Sequence, residues 1–368
     1  MHPSIHAATH PHKPAYIMAE TGETVTYAAL EARSNQGAHL LRSLGLKRGD
    51  GIALLLENNA RFFEIVWAAQ RAGLYYTCLS TRLATPEIAF ILQDSGARAL
   101  IASIPVPADL PVEGLAVFAP GARDFEAERA GLPEHPIADE APGNDMLYSS
   151  GTTGRPKGIR PPLPEGGLVQ TNALTEFGRT GYDMNANSIF LSPAPLYHAA
   201  PMRWCMSIHK LGGTVIVMEK FDAEAALALI ARYRVTHAQF VPTHFIRMLK
   251  LPEADRLRHD TSSLTVAFHA AAPCPQDVKR AMMAWWGPIL HEFYGGTEAN
   301  GLTAIGPQEW LEHPCSVGRA VWGQIRICDE AGDPVPAGQV GTVYFAEGQP
   351  FEYHQDPEKT EQSRNKHG

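Results

Sequence analysis

Six consecutive residues that carry a hydroxyl group or no side chain follow the apolar run at 146–148. They are Ser149, Ser150, Gly151, Thr152, Thr153 and Gly154, and Lys157 comes three residues later. Glycine lets the backbone adopt conformations closed to other residues, so that N–H groups can approach a ligand. Such a concave set of donors suits an anion, and the lysine adds a positive charge. Residues 149–157 therefore predict a polyphosphate-binding loop, which we call the phosphate loop.

The spacing of the phosphate loop differs from that of the Walker P-loop, in which Gly, four residues and Gly-Lys-Ser/Thr open a helix. Gly158 stands where Ser or Thr is required, and no amphipathic helical pattern follows it. The sequence therefore argues against a P-loop kinase or GTPase. A surface loop without a ligand is the simpler alternative. Hydroxyls, glycines and a Pro-Lys pair rarely coincide after an apolar strand, which favours the binding loop.

A second group with binding chemistry lies at 293–298, where a predicted strand ends. Tyr294 offers an aromatic face, Thr297 a hydroxyl and Glu298 a carboxylate. In open α/β sheets, ligands bind beyond the carboxyl ends of the strands. Carboxylate oxygens are the ligands that Mg²⁺ prefers. Alone, this group is equally compatible with an ordinary strand-to-turn segment; together with the phosphate loop it indicates a nucleotide site.

Alternating helices and strands must position these two groups. Apolar periodicity and turn residues predict helices over 27–44, 62–72, 85–93, 222–233 and 275–286, with Thr85 and Asp222 as N-caps. Short apolar runs predict strands over 51–56, 98–102, 115–119, 214–218, 237–241, 264–268 and 289–293. This alternation implies crossover units and a mostly parallel sheet. From residue 321, short alternating runs between Gly and Pro turns predict an antiparallel or barrel-like part.

Composition and charge exclude several classes of protein. A chain of 368 residues with 45% hydrophobic residues can form a large core or several packed subdomains. The net charge of −8 argues against a general nucleic-acid binder. No apolar run reaches the ~18 residues of a membrane span, and the N-terminus lacks the features of a signal peptide. Five scattered cysteines suit reduced thiols in a cytosolic protein, and the histidines near the N-terminus suit a mobile terminal segment.

The two groups together resemble the signatures of the adenylate-forming (AMP-binding) superfamily, which contains acyl-CoA synthetases, luciferases and peptide-synthetase adenylation domains. The phosphate loop resembles Tyr-Thr-Ser-Gly-Thr-Thr-Gly-x-Pro-Lys-Gly, with Ser149 in place of the first Thr, and residues 294–298 resemble Tyr-Gly-x-Thr-Glu. The resemblance implies an α/β fold of two packed, mostly parallel sheets with flanking helices and a smaller β-rich subdomain. Residues 1–368 then form the large N-terminal domain, with α/β subdomains at 15–190 and 191–320 and an incomplete β-rich subdomain at 321–368.

The resemblance also implies a C-terminal lid that carries a catalytic lysine. Residues 351–360 resemble the segment just before an aspartate that binds ribose in the family. We therefore expect the lid to be absent, so that the chain is truncated or continues outside this sequence. A chain of this kind is expected to be poorly active alone.

By resemblance, three segments bind the nucleotide. The cofactor-binding residues are Ser149, Ser150, Gly151, Thr152, Thr153, Gly154, Lys157, Ala270, Ala271, Ala272, Pro273, Glu292, Phe293, Tyr294, Gly295 and Thr297. The expected roles are adenine stacking by Tyr294, α-phosphate binding by Thr297 and Mg²⁺ binding by Glu298. The residues assigned to catalysis are Thr152, His198, Thr297 and Glu298, with His198 as an orienting or gating group. His269 is interpreted as structural.

The resemblance places the acid near residue 198 and at the ends of neighbouring strands. The pocket candidates are His198, Met202, Trp204, Val241, Ala270 and Gly295. The apolar candidates suit a hydrophobic acid, but ordinary core packing explains each one equally well.

The leading hypothesis is an ATP-dependent acid–CoA ligase of lipid or fatty acid metabolism. It would activate a hydrophobic carboxylic acid as an acyl-adenylate and transfer it to CoA, using ATP and Mg²⁺ in the cytoplasm. An adenylating enzyme with a carrier protein or another acceptor is one alternative, and a non-catalytic nucleotide- or acyl-binding module is another. A homodimer is left open, the acid is not identified, and the Pro-rich stretch at 161–167 has no assigned function.

Overall fold

The structure is a computed structural model that describes residues 1–149 and 156–367. The helices are α1 (Pro3–Thr9), α2 (Tyr27–Ser43), α3 (Arg61–Arg71), α4 (Thr85–Ser95), α5 (Phe125–Arg129), α6 (Ala173–Gly181), α7 (Ala199–Leu211), α8 (Ala223–Tyr233), α9 (Pro242–Leu249), α10 (Glu253–Leu257), α11 (Gln276–Trp286), α12 (Pro307–Glu312) and α13 (Pro357–Gln362).

The strands are β1 (Pro14–Met18), β2 (Thr24–Thr26), β3 (Gly51–Leu55), β4 (Tyr75–Cys78), β5 (Ala97–Ala102), β6 (Ala116–Phe118), β7 (Asn144–Asp145), β8 (Leu147–Ser149), β9 (Lys157–Ile159), β10 (Ile189–Ser192), β11 (Thr214–Val217), β12 (His237–Phe240), β13 (Val266–His269), β14 (Leu290–Gly295), β15 (Leu302–Ile305), β16 (Arg319–Trp322), β17 (Gln324–Cys328) and β18 (Thr342–Ala346).

Two large sheets organise the chain. The first has nine strands in the order β16-β15-β14-β13-β12-β10-β11-β1-β2, and its neighbours from β14 to β1 pair in parallel. The second has five strands in the order β6-β5-β3-β4-β7, all paired in parallel. Strands such as β3 and β11 are buried at every residue because helices or the other sheet cover both faces. The ends of these strands therefore determine where a ligand can bind.

Two antiparallel hairpins complete the sheets, β8 with β9 and β17 with β18. The first contains the described flanks of the phosphate loop, and the second confirms the antiparallel part predicted after residue 321. The predicted helices and strands are present, with ends shifted by one or two residues. The predicted fold class is confirmed.

The hydrophobic core has three parts. The largest contains side chains of both large sheets together with α2, α3 and α7. A second covers the opposite face of the nine-stranded sheet with α8, α9 and α11, and a third covers the five-stranded sheet with α4. Among the helices of the described residues, none has the length and apolar character needed to cross a bilayer.

The N-terminal segment contributes to this packing. β1 pairs with β11, so residues 14–18 lie in the sheet that later residues mainly form. The division into subdomains at 15–190, 191–320 and 321–368 stays a prediction. The expectation of a mobile terminal segment is wrong, because His2 is only 1% exposed and packs its ring edge-on against Trp67. His6 Nε2 also lies 2.9 Å from the carbonyl oxygen of Lys210.

Candidate active site

The β8–β9 hairpin positions the two flanks of the phosphate loop. Ser149 pairs with Lys157 across the hairpin, and Tyr148 pairs with Gly158. A Cβ at position 158 would lie 2.9 Å from Cζ of Tyr148, so glycine there leaves room for the tyrosine ring. The hairpin thus brings the first hydroxyl and the lysine of the loop together.

The predicted roles of Ser150, Gly151, Thr152, Thr153 and Gly154 fall on residues 150–155, which lie outside the described residues. These roles stay predictions.

The second group lies where β14 ends and the chain turns towards β15. Tyr294 is 46% exposed, and its ring stacks on Phe345 with centroids 6.3 Å apart. Gly296 leaves room for the carboxylate of Glu298, because a Cβ at position 296 would collide with Oε2 of that residue. Thr297 and Glu298 are half-buried at this turn. We call residues 294–298 the acidic corner.

Lys157, at the end of the phosphate loop, lies near the acidic corner. The ammonium of Lys157 is 5.2 Å from the ring centroid of Tyr353. The hydroxyl of Tyr353 donates a 2.9 Å hydrogen bond to Oε1 of Glu298. One tyrosine therefore contacts both predicted groups. Sequence reasoning missed Tyr353; its only signal was its place in the stretch at 351–360, which resembles a family segment near the nucleotide.

A second link connects the entrance of the phosphate loop to the acidic corner. Nη2 of Arg203 lies 2.7 Å from Oδ2 of Asp145, which is only 5% exposed. The same guanidinium donates to the carbonyl oxygen of Thr297 at 3.3 Å. Arg203 was not predicted either, although a lone arginine between the pocket candidates Met202 and Trp204 was a detectable signal. A charged residue in a buried helix usually has a specific partner.

Glu292 belongs to a buried polar cluster. Its Oε2 lies 2.6 Å from the ammonium of Lys279 and 3.5 Å from Nε2 of His269. Lys279 also lies over the ring of Trp310, 4.6 Å from its centroid. Burial lowers the pKa of Lys279, while hydrogen bonding to Glu292 opposes that effect. The Glu292 carboxylate thus has a protein partner, and its assignment to the nucleotide stays a prediction.

Buried histidines make the stability of the protein depend on pH. Burial lowers the pKa of His209 and of His269 from 6.5 to about 3, and that of His244 and of His291 from 6.5 to about 4. Between these values and about 6.5 the unfolded chain binds more protons than the folded one, so stability falls as pH falls. Each group contributes up to about 1.4 kcal/mol per pH unit.

We expect the free energy of unfolding, measured by urea denaturation, to decrease steadily as the pH is lowered from about 6.5 to 4. His269→Gln should reduce that slope, and His12→Gln, which changes an exposed histidine, should leave it unchanged. A slope that is the same with and without His269 would contradict this account.

Residues 270–273, which we call the small-residue loop, follow β13. Ala270 is 8% exposed, whereas Ala271, Ala272 and Pro273 are exposed. Ala271 has a φ of 74°, in the left-handed region that few non-glycine residues adopt. β13 and β14 are neighbours in the sheet, so this loop and the acidic corner follow adjacent strand ends. Gly295, at the end of β14, is exposed next to them, and Phe293 is buried.

The pocket candidates divide into two groups. His198 is exposed at the N-cap of α7, with its ring 4.3 Å from that of Tyr197. Val241 is half-buried at the N-cap of α9. Met202 and Trp204, by contrast, are 0% and 1% exposed in the largest core cluster. These two residues form part of the core in this structure, and their contact with an acid stays a prediction.

Comparison with known proteins places the chain in a family. The model of the AMP-binding enzyme family matches residues 4–352. The chain belongs to the AMP-binding enzyme family. This membership confirms the family that the sequence predicted.

Relatives in the AMP-binding enzyme family include CoA ligases. The chain is 32% identical over 338 residues to a feruloyl-CoA synthase of an Amycolatopsis species, covering 88% of this chain and 65% of the synthase. It is 29% identical over 329 residues to the long-chain-fatty-acid–CoA ligase FadD13 of Mycobacterium tuberculosis, covering 85% of this chain and 63% of the ligase. The chain thus spans less than two thirds of the length of these relatives.

The fold of this chain is similar to that of a solved structure from Mycobacterium tuberculosis. The inhibitor-bound N-terminal domain of FACL13 from Mycobacterium tuberculosis superposes with a TM-score of 0.85 at 26% identity, covering 99% of this chain and 92% of that domain.

Proposed function

We propose that this chain forms the nucleotide- and acid-binding part of an ATP-dependent acid–CoA ligase. The observation that carries the proposal is the position of Tyr353, which contacts Lys157 of the phosphate loop and Glu298 of the acidic corner. The two groups that the sequence assigns to one nucleotide therefore flank one tyrosine. The CoA ligases among the relatives support the same reaction.

In the proposed first step, an oxygen of the substrate carboxylate forms a bond to the α-phosphorus of ATP. The bond from that phosphorus to the bridging oxygen breaks, which leaves acyl-AMP and pyrophosphate. In the second step, the CoA thiolate attacks the acyl carbon and AMP leaves. The protein performs little covalent chemistry here, so positioning and charge stabilisation supply most of the rate.

Each part of the site has a task in this scheme. Lys157 and the phosphate loop hold the β- and γ-phosphates, and Thr297 donates a hydrogen bond to the α-phosphate. Tyr294 stacks against adenine opposite the small-residue loop at 270–273. His198, exposed at the start of α7, orients the carboxylate or gates its entry. Arg203 links the backbone of Thr297 to Asp145 of β7, two residues before the strand that leads into the phosphate loop.

Glu298 would hold Mg²⁺, which neutralises charge on the departing pyrophosphate. Among the described residues no group of three or more His, Cys, Asp or Glu side chains forms a metal cluster. The single carboxylate of Glu298 fits Mg²⁺, because that ion commonly takes one or two carboxylates and completes its shell with phosphate oxygens and water. Oε1 of Glu298 accepts from the hydroxyl of Tyr353, and Oε2 lies beside Gly296, where a Cβ would collide with it.

The substrate is a hydrophobic carboxylic acid in this proposal. The names of two relatives specify a ferulic and a long-chain fatty acid, both with large apolar groups. The surroundings of His198 are also apolar, because Tyr197, Ala199 and Ala200 pack against the core beside it. A carrier-protein thiol in place of CoA changes only the second step and leaves this site as it is.

The proposal predicts that one cleft binds the acyl and adenylate groups together. Acyl-sulfamoyl-adenosines, which replace the reactive phosphate ester by a stable linkage, should bind about a hundredfold or more tighter than AMP when the acyl group is apolar. Calorimetry on the chain measures this without turnover. A short polar acyl group is the matched control and should gain far less.

Two results would contradict the proposal. One is that neither ATP nor any acyl-sulfamoyl-adenosine binds at about 1 mM, the weakest affinity useful to such an enzyme. The other is that the acyl group adds no affinity to the adenylate, as expected of a plain nucleotide-binding module.

A further inference from the structure

We propose that Tyr353 is a positioning residue of the nucleotide site, and this inference rests on the proposed function. Its hydroxyl orients the Glu298 carboxylate towards the cation, and its ring holds the Lys157 ammonium at the phosphate loop. A single side chain then sets the spacing between the two halves of the site.

The backbone of Tyr353 is attached to the strand that carries Lys157. Tyr353 forms a β-bridge with Ile159 of β9, and the N–H of His354 donates to the carbonyl oxygen of Gly158 at 2.7 Å. Lys157 is the first residue of the same strand. Any shift of β9 therefore moves the lysine and the tyrosine together.

A helix holds Tyr353 from the other side. The backbone N–H of Tyr353 donates to Oγ1 of Thr360 at 2.9 Å. The Thr360 hydroxyl in turn donates to the carbonyl oxygen of Asp356 at 2.9 Å. Asp356 is the N-cap of α13, and Thr360 is only 7% exposed. The tyrosine is thus held between a strand and a helix before any ligand binds, as a group that orients another group must be.

The hydroxyl of Tyr353 can donate one hydrogen bond, and Oε1 of Glu298 accepts it. That hydrogen bond restricts rotation of the carboxylate and so limits where its second oxygen can lie.

The ring of Tyr353 has a separate task. The Lys157 ammonium lies 5.2 Å from its centroid, within the range of a cation–π interaction. This contact keeps a flexible side chain near the position where the phosphates are proposed to bind. Tyr353→Phe preserves it and removes only the hydroxyl, so the two tasks can be separated.

The test compares binding of ATP at increasing Mg²⁺ concentration with binding of AMP without Mg²⁺. Tyr353→Phe should raise the half-saturating Mg²⁺ concentration about three- to tenfold, the range expected for one hydrogen bond to a charged group that is partly solvated. The affinity for AMP should stay within about twofold, because AMP lacks the phosphates next to the cation. Tyr233→Phe, which removes a hydroxyl at the end of α8, is the matched control and should change neither value.

A double-mutant cycle separates positioning from a structural role. If the hydroxyl acts through Glu298, Tyr353→Phe should change the Mg²⁺ dependence less than about twofold in the Glu298→Gln background. Independent effects of the two substitutions would overturn the inference. An equal loss of ATP and AMP affinity would also overturn it, because it would indicate that Tyr353 only stabilises the fold.

Glu298→Asp supplies a second test if the Tyr353 variant does not fold. It keeps the charge but withdraws the carboxylate from the hydroxyl, and it should shift the Mg²⁺ dependence in the same direction. A wild-type chain that binds no ATP would count against the proposed function. A chain that needs Glu298 but not the Tyr353 hydroxyl would count against this inference alone.

Discussion

Lys279→Met is expected to lower the free energy of unfolding by about 3–5 kcal/mol at pH 8. The side chain of Lys279 is fully buried and lies 2.6 Å from Oε2 of Glu292, whose side chain is 10% exposed. Removing the lysine leaves a buried carboxylate without its cation, and His269 is neutral at that pH because burial lowers its pKa to about 3. Urea unfolding followed by circular dichroism measures the loss.

The double variant Lys279→Met/Glu292→Gln is the decisive control for this prediction. It removes both charges, so it should recover most of the lost stability, because replacing a whole buried pair is often close to neutral. Lys250→Met, at an exposed lysine, should change stability by less than about 0.5 kcal/mol. A double variant as unstable as the single one would show that packing of the lysine on Trp310, and not charge, dominates.

Trp204→Ala is expected to cost about 3–5 kcal/mol of unfolding free energy. Trp204 is 1% exposed, and its ring centroid lies 4.8 Å from that of Phe268 and 5.8 Å from that of Tyr182. The loss combines the transfer of a large apolar group to water with the cavity left behind. Trp204→Phe should cost clearly less, because it fills most of that cavity.

Leu257→Ala is the matched control for the Trp204 variants, since Leu257 is 64% exposed and should contribute less than about 0.5 kcal/mol. A loss below about 1 kcal/mol for Trp204→Ala would mean that the tryptophan is loosely packed and borders open space. That result would favour the assignment of Trp204 to the acid pocket over its position in the core.

Local patterns predicted much of the fold. Asp222 forms the expected N-cap, since its Oδ1 accepts from the N–H of Ala225 at 2.9 Å. The cap predicted at Thr85 is wrong: Ala84 occupies the N-cap, and its N–H donates to Glu87 Oε2 at 2.8 Å. α7 was not predicted because most of its residues are buried, so it lacks a polar face that would reveal the helical period.

Contacts between residues far apart in the chain were not predicted from the sequence. β1 pairs with β11 about 200 positions later, and neither strand indicates its partner by composition. Glu292 was predicted at the nucleotide, but the lysine that holds it lies on α11, where the sequence shows only an amphipathic helix. Tyr353 acquires its proposed role through contacts with Lys157 and Glu298, which lie far from it in the sequence. Motifs identify chemistry locally, whereas packing determines which groups meet.

A crystal structure of the chain with ATP and Mg²⁺ tests the central claim most directly. The account predicts a nucleotide whose phosphates lie within hydrogen-bonding distance of the Lys157 ammonium. Its cation should lie between those phosphates and Glu298, with the Tyr353 hydroxyl still bonded to the carboxylate. A nucleotide bound away from both Lys157 and Glu298, or one that contacts either residue without the other, would contradict it.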